Sequence, residues 1–174
     1  MSRSKPASSA PPVYLALGSN LGDRAGHLRA AVAALREQAG ATVFAASAIY
    51  ATDPVGIAGA PVFFNAAIGL RTALSADELL TVCLAIEAAQ GRRREPGAGW
   101  ASRTLDIDLL LYGDLAITTP RLTLPHPRLA QRAFVLVPLA EIAPEFNLLG
   151  RTLAAWAALV GDAGVRPTGE RLDR

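Results

Sequence analysis

Thr104-Leu105-Asp106-Ile107-Asp108-Leu109-Leu110-Leu111-Tyr112 is the stretch on which the architecture turns. β-Branched and aromatic residues suit a pleated, half-buried surface, so the run predicts a strand. A period of two sends Leu105, Ile107, Leu109 and Leu111 to one face and Asp106 and Asp108 to the other. The apolar face calls for a covering layer. The other face carries two carboxylates whose Cα atoms lie roughly 7 Å apart.

Working back from that strand, Ser75-Ala76-Asp77-Glu78 is a capping-box signature, and Leu79, Cys83 and Ile86 form the stripe of the helix it opens. Phe63 to Thr72 predicts a strand with Phe64, Ala66, Ile68 and Leu70 on one face and Phe63 and Asn65 on the other. Thr42 to Tyr50, rich in β-branched, aromatic and small residues, predicts another. Leu21, Ala25, Leu28, Val32 and Leu35 recur at helical spacing, with Asn20 as the expected N-cap and Gly40 as the stop. Val13-Tyr14-Leu15-Ala16-Leu17 is a short apolar strand ended by Gly18-Ser19-Asn20. The order β-α-β-β-α-β predicts an α+β fold of ferredoxin-like type, an antiparallel sheet with helices packed on one face. Leu153, Trp156 and Val160 space a short C-terminal helix, with Trp156 in the core. Residues 1–12 (MSRSKPASSAPP) predict a disordered extension, 13–160 the folded domain and 161–174 (GDAGVRPTGERLDR) a loose tail, because neither end has apolar periodicity.

The chain has 174 residues, 51% hydrophobic and 18% charged, which is enough to bury the core of one domain. Its net charge is only +2, yet Arg92, Arg93 and Arg94 are consecutive and Arg103 is near. A basic cluster in a nearly balanced chain suits a small anionic ligand better than a nucleic-acid coat, although a run of arginines is also what a solvated loop looks like. The single cysteine, Cys83, sits among leucines and reads as a buried thiol that cannot form an internal disulfide. No apolar run is long enough to span a membrane and no signal-peptide core is present, so a cytoplasmic protein is expected.

Two carboxylates on one strand face can share a hard cation or a close pair of them. Magnesium takes one or two protein carboxylates and completes its octahedron with water and phosphate oxygens. Arg103 next door adds a donor suited to phosphate. Spacing alone weighs this about equally against a strand whose solvent side is simply acidic. Phe63 and Asn65 share a face, where a ring and an amide can address one flat heterocycle. A phenylalanine alone, whether Phe63 or Phe134, is more often core. His126 between Pro125 and Pro127 suits a turn, and His27 is placed on the surface.

Trp100-Ala101-Ser102-Arg103-Thr104-Leu105-Asp106-Ile107-Asp108-Leu109-Leu110 resembles the signature of the 6-hydroxymethyl-7,8-dihydropterin pyrophosphokinases of folate biosynthesis. The likeness continues through Ala16-Leu17-Gly18-Ser19-Asn20-Leu21-Gly22-Asp23, Tyr50-Ala51-Thr52-Asp53-Pro54-Val55-Gly56 and Phe63-Phe64-Asn65-Ala66-Ala67. It includes Ile86-Glu87 leading to Gly91-Arg92, and Leu124-Pro125-His126-Pro127-Arg128 leading to Arg132-Ala133-Phe134-Val135-Leu136-Val137-Pro138-Leu139. Six blocks in order are far more specific than any one of them. The resemblance implies transfer of the β,γ-diphosphate of ATP to a hydroxymethyl pterin with release of AMP. Asp106 and Asp108 match the holders of two magnesium ions, and Arg94 and Arg103 join them as the catalytic set. Arg92, Arg94, Arg103, Ile107, His126 and Arg132 match ATP-side positions. Thr52, Asp53, Val55, Phe63, Asn65 and Phe134 match the pterin side, with Phe63 and Phe134 as the two sandwiching rings. Trp100 is the expected lid residue of the loop from Gly91 to Ser102. Only small-molecule substrates are implied, with no nucleic acid, no membrane and a monomeric enzyme.

The sequence departs from the family pattern at Gly99, where a basic residue is usual, and at Ala101-Ser102, where Gly-Pro is common. An RNA-recognition domain has the same element order, but it displays aromatics on its first and third strands, and here a paired-aspartate strand would repel phosphate without a metal. A pterin aldolase would have no use for the Asp106, Asp108 and Arg103 set.

Overall fold

The chain is described from a computed structural model covering residues 9–54, 58–92 and 103–173. Strand β1 (Val13–Ser19) leads through Gly22, whose φ of 64° suits glycine, into helix α1 (Arg24–Gln38). The N-cap is Asp23, whose carboxylate accepts the Gly26 amide at 3.0 Å, and not Asn20 as the sequence suggests. Gly40 follows the helix with φ 54° and turns the chain into the sheet.

The single strand expected from Thr42 to Tyr50 is two, β2 (Thr42–Ala46) and β3 (Ala48–Thr52). Ser47 interrupts them. It is fully buried, its amide donates to Ala67 O, and its hydroxyl accepts the Ala67 amide at 2.9 Å and donates to Ala48 O at 2.7 Å. Both segments still pair with β4 (Phe63–Arg71), so they act as one bent strand. Helix α2 (Ala76–Ala89) opens on the Ser75/Glu78 capping box read from the sequence. Strand β5 (Asp106–Tyr112) follows.

The main sheet runs β5-β1-β4-β3, every pairing antiparallel. On one face Val13, Leu15 and Leu17 of β1, Ala66, Ile68 and Leu70 of β4, and Ile107 and Leu109 of β5 pack under α1 and α2, with Leu28, Leu35, Leu79 and Cys83 among the helix residues that meet them. The alternation along β5 breaks late. A register shift against β1 leaves both Leu110 and Leu111 with the second core, so Leu111 is on the other face from Leu109.

That second core corrects the expectation of helices on one face only. After a small hairpin, β6 (Ile117–Thr118) and β7 (Thr123–Leu124), helix α3 (Ala133–Ile142) crosses the opposite face and meets Tyr14, Ala67 and Leu110. The β8 (Asn147–Leu148) and β9 (Arg151–Thr152) hairpin leads to α4 (Leu153–Val160), which packs on α3. Trp156 is half-buried there, its indole N–H donating to Leu148 O at 2.8 Å. No helix among the described residues is long and apolar enough to cross a membrane.

Residues 10–12 and 165–171 are held where the sequence suggests loose ends, and residues 1–8 of the expected extension lie outside the described residues. Residues 165–171 form β10 (Val165–Arg171), antiparallel to β3 at the sheet edge. At the other end Ala10 is buried, Pro12 O accepts the Gly113 amide at 2.8 Å, and the Arg71 guanidinium donates to Ala10 O. A lack of periodicity hid both, because each is held by backbone pairing with distant segments.

Candidate active site

Register places the site. Gly18 lies between Asn65 of β4 and Asp106 of β5, and Ala16 lies between Ala67 and Asp108. Two of the smallest residues of β1 therefore separate the acidic strand from the Phe63/Asn65 strand, leaving a floor onto which both can project. A Cβ on Gly18 would stand 2.8 Å from Asn65 Oδ1, so any larger residue would displace the Asn65 amide. The α3 layer stops short over this end of the sheet. A cleft results, walled by Arg132, Phe134 and Val135 from the start of α3.

On its acidic side Asp106 meets two guanidiniums, Arg92 Nη1 and, at 3.2 Å, Arg103 Nη1. Arg92 also pairs with Glu87 at 2.8 Å. Glu87 is 2% exposed on α2 and accepts the Ile107 amide at 2.8 Å, so it ties the helix to the acidic strand between its two aspartates. Asp108 is in a different state. Burial above all, then the charges of Asp106 and Glu87, push its carboxyl up to about 7, against the pull of Arg132 and Arg103. A carboxylate so costly to ionise beside a second one is a donor pair suited to a hard cation. Asp106 and Asp108 fit magnesium by that chemistry, and the described residues contain no larger cluster of metal-binding side chains.

On the other side the Asn65 amide donates to Thr52 Oγ1 at 2.6 Å, which fixes the plane of the side chain. Phe63 and Phe134 face the same cleft from β4 and α3, and Thr52 and Asp53 close its edge. The Arg132 guanidinium carbon is 5.6 Å from the Phe134 ring centre. Burial and the neighbouring Arg128 lower its affinity for a proton, while Asp108 and Asp106 raise it.

The residues singled out by sequence separate by where the structure places them. Thr52, Asp53, Phe63, Asn65, Arg103, Asp106, Asp108, Arg132 and Phe134 line the cleft, and Arg92 reaches it through Asp106. Ile107 points into the core under α1 and α2, and its amide is taken by Glu87, so its side chain is not available to a nucleotide. Val55, Arg94 and Trp100 lie outside the described residues. His126 is half-buried, its Nδ1 accepting the Arg128 amide at 3.2 Å, which leaves the proton of the neutral ring on Nε2. Its affinity for a proton is lowered by burial first, then by Arg132 and Arg128. His27 does have a partner, Gln90 Oε1 at 2.8 Å.

Asn20 and Glu87 were missed as site residues. The Asn20 side chain accepts the Arg103 amide at 2.7 Å, and its backbone amide donates to Arg103 O at 3.1 Å. Its Nδ2 reaches Pro61 O at 3.4 Å, so one buried residue links the head of the acidic strand to the approach of β4. Position after a strand suggested a cap, and only the three-dimensional return of Arg103 shows otherwise.

A family model described as 7,8-dihydro-6-hydroxymethylpterin-pyrophosphokinase (HPPK) matches residues 14–144. A 2-amino-4-hydroxy-6-hydroxymethyldihydropteridine pyrophosphokinase of Methylorubrum extorquens is 46% identical over 152 residues, covering 87% of this chain and 95% of the relative. A protein of the same name from Bacillus subtilis is 49% identical over 129 residues, 74% of this chain and 76% of its own length. Among solved structures, Plasmodium falciparum HPPK-DHPS superposes with a TM-score of 0.69 over 87% of this chain at 14% identity, a likeness of fold alone. This chain spans 45% of that one.

Proposed function

Because the chain belongs to the 7,8-dihydro-6-hydroxymethylpterin-pyrophosphokinase family, we propose that it transfers the β,γ-diphosphate of ATP to the hydroxymethyl group of 6-hydroxymethyl-7,8-dihydropterin, releasing AMP, with Asp106 and Asp108 holding two magnesium ions. The observation that carries this reading is the pair of strand faces flanking Gly18 and Ala16. One presents two carboxylates for a metal-bound triphosphate, the other a ring and an oriented amide for a flat heterocycle. The strand order is, on the same reading, that of a ferredoxin-like sheet, and the enzyme is a monomer.

The substrate hydroxyl oxygen attacks the β-phosphorus as the bond from that phosphorus to the α,β-bridging oxygen breaks. AMP carries away the electron pair, and the hydroxyl proton passes to solvent. Such a transfer needs alignment and charge neutralisation more than a strong base. Bound magnesium would supply charge neutralisation on the triphosphate. Phe63 and Phe134 hold the pterin between them, and Asn65, fixed by Thr52, reads its edge. Arg92 and Arg103, parked on Asp106 in this structure, are placed to exchange that carboxylate for phosphate oxygens, and Arg132 and His126 Nε2–H donate from the α3 side. AMP release should require both the hydroxymethyl pterin and magnesium. Asp106→Asn and Asp108→Asn should each lower turnover at least about 100-fold at saturating magnesium, and near-normal turnover in either would overturn the metal assignment.

A further inference from the structure

Strand β10 reaches the site at its Thr52–Asp53 edge. Its register sets Val165 opposite Thr52, Arg166 opposite Ala51 and Pro167 opposite Tyr50. Just before it, Gly164 O accepts the Asp53 amide at 3.1 Å, and Arg166 Nη2 lies 3.0 Å from Asp53 Oδ1. Thr52 and Asp53 are the edge of the cleft, and Thr52 Oγ1 is the acceptor that orients the Asn65 amide.

The strand is anchored away from the site. Leu172 is buried in the α1/α2 core, Arg29 donates to Arg171 O at 2.9 and 3.1 Å, and Thr168 Oγ1 donates to Ile49 O at 2.7 Å. With its far end fixed to the core, its near end can set the position of the backbone it pairs with. The exposed Arg166–Asp53 ion pair adds little by itself. The backbone pairing, and the close seat of Gly164 against Asp53, do the positioning.

We infer that β10 is a positioning element of the pterin side of the cleft, setting Thr52 and Asp53 and, through Thr52, the amide of Asn65. This rests on the proposed assignment of that side to the pterin. Gly164 has φ 75°, and a Cβ there would stand 3.2 Å from Asp53 Oδ2, so a branched side chain strains the turn and pushes on Asp53.

The test compares three variants of the full chain by steady-state kinetics and thermal melting. Gly164→Val is expected to raise KM for the pterin at least about five-fold while KM for ATP and kcat stay within about two-fold. Thr168→Val, on the same strand but away from the cleft, is expected to lower Tm and leave the pterin KM unchanged. Phe63→Ala tests the assignment itself and is expected to raise the pterin KM. A raised pterin KM in Phe63→Ala with none in Gly164→Val overturns the role of β10 and spares the assignment. No change in either overturns the assignment. Equal rises in Gly164→Val and Thr168→Val would show that the strand acts only through stability, which also overturns the inference. Should Gly164→Val fail to fold, Gly164→Ala makes the same approach to Asp53 with one methyl and carries the same expectation.

Discussion

Asp108 shows how a single residue can work against the fold for the sake of the site. Its carboxyl is pushed up to about 7 by burial and by the charges of Asp106 and Glu87, so the folded chain holds its proton more tightly than the unfolded chain does. The sign follows from linkage. The stability this provides is fully present below the ordinary carboxylate range and is lost as pH rises through about 7, where the buried charge must form. An asparagine in its place never ionises. With chelator present, Asp108→Asn should therefore melt at a higher temperature than the parent at pH 8, and the gap should shrink toward pH 4. Melts that stay parallel across that range would refute the buried-charge account. Asn20 works in the opposite sense. Asn20→Ala leaves the Arg103 amide without its 2.7 Å acceptor, a loss of about 1–3 kcal/mol that should appear as a lower Tm together with a raised KM for ATP.

At the scale of elements, the amino-terminal arm makes the next prediction. Pro12 O pairs with Gly113, and Arg71 holds Ala10, at the end of β1 where Val13 faces Tyr112, whereas the cleft lies at the Gly18–Asp106 end. Deleting residues 1–12 should lower Tm by about 4–8 °C, from roughly two lost hydrogen bonds, and leave kcat unchanged. An unchanged Tm would show that these contacts do not hold the arm. This reverses what composition suggested, and it shows where sequence is legible. The elements α1, α2, β4 and most of β5 have clear periods of 3.6 or 2 and β1 is a plain apolar run, and the faces so read pair Asp106 with Asp108 and Phe63 with Asn65, while register through β1 joins the two pairs. Helix α3 has no such stripe: AFVLVPLAEI is apolar all round with Pro138 inside, because part of it packs on the sheet and part under α4. β10, VRPTGER, holds a proline and a glycine and reads as loop, yet edge pairing needs only backbone. Asn20 and Glu87 escaped for a related reason. Their partners, Arg103 and Ile107, are 83 and 20 residues away, and no local pattern records a long-range hydrogen bond.

Across the whole molecule, two apolar layers clamp one sheet, and Cys83 lies in the first, fully buried on the inner face of α2. Burial above all, with Glu87 and Asp108 adding to it, pushes its thiol up to about 12, so hardly any thiolate exists near neutral pH. A thiol reagent can then react only when the core opens. The labelling rate of native protein measures how often that happens, while denatured protein should label at the rate of a free cysteine. On the proposed assignment substrates bind residues of the sheet that covers Cys83, so they should suppress any opening that separates α2 from β5. If that opening is global, saturating magnesium, a non-hydrolysable ATP analogue and pterin should slow labelling in proportion to their occupancy, by about 100-fold at 100 times Kd for a single site. Asp108→Asn, which on the proposed assignment loses a metal ligand, should lose most of this protection while its unliganded labelling is at least as slow as the parent's. Fast stoichiometric labelling of the native chain would contradict the burial of Cys83. Slow labelling untouched by ligands would show that α2 lifts locally without releasing the acidic strand, and that the Glu87–Ile107 tie between them is broken in the open state.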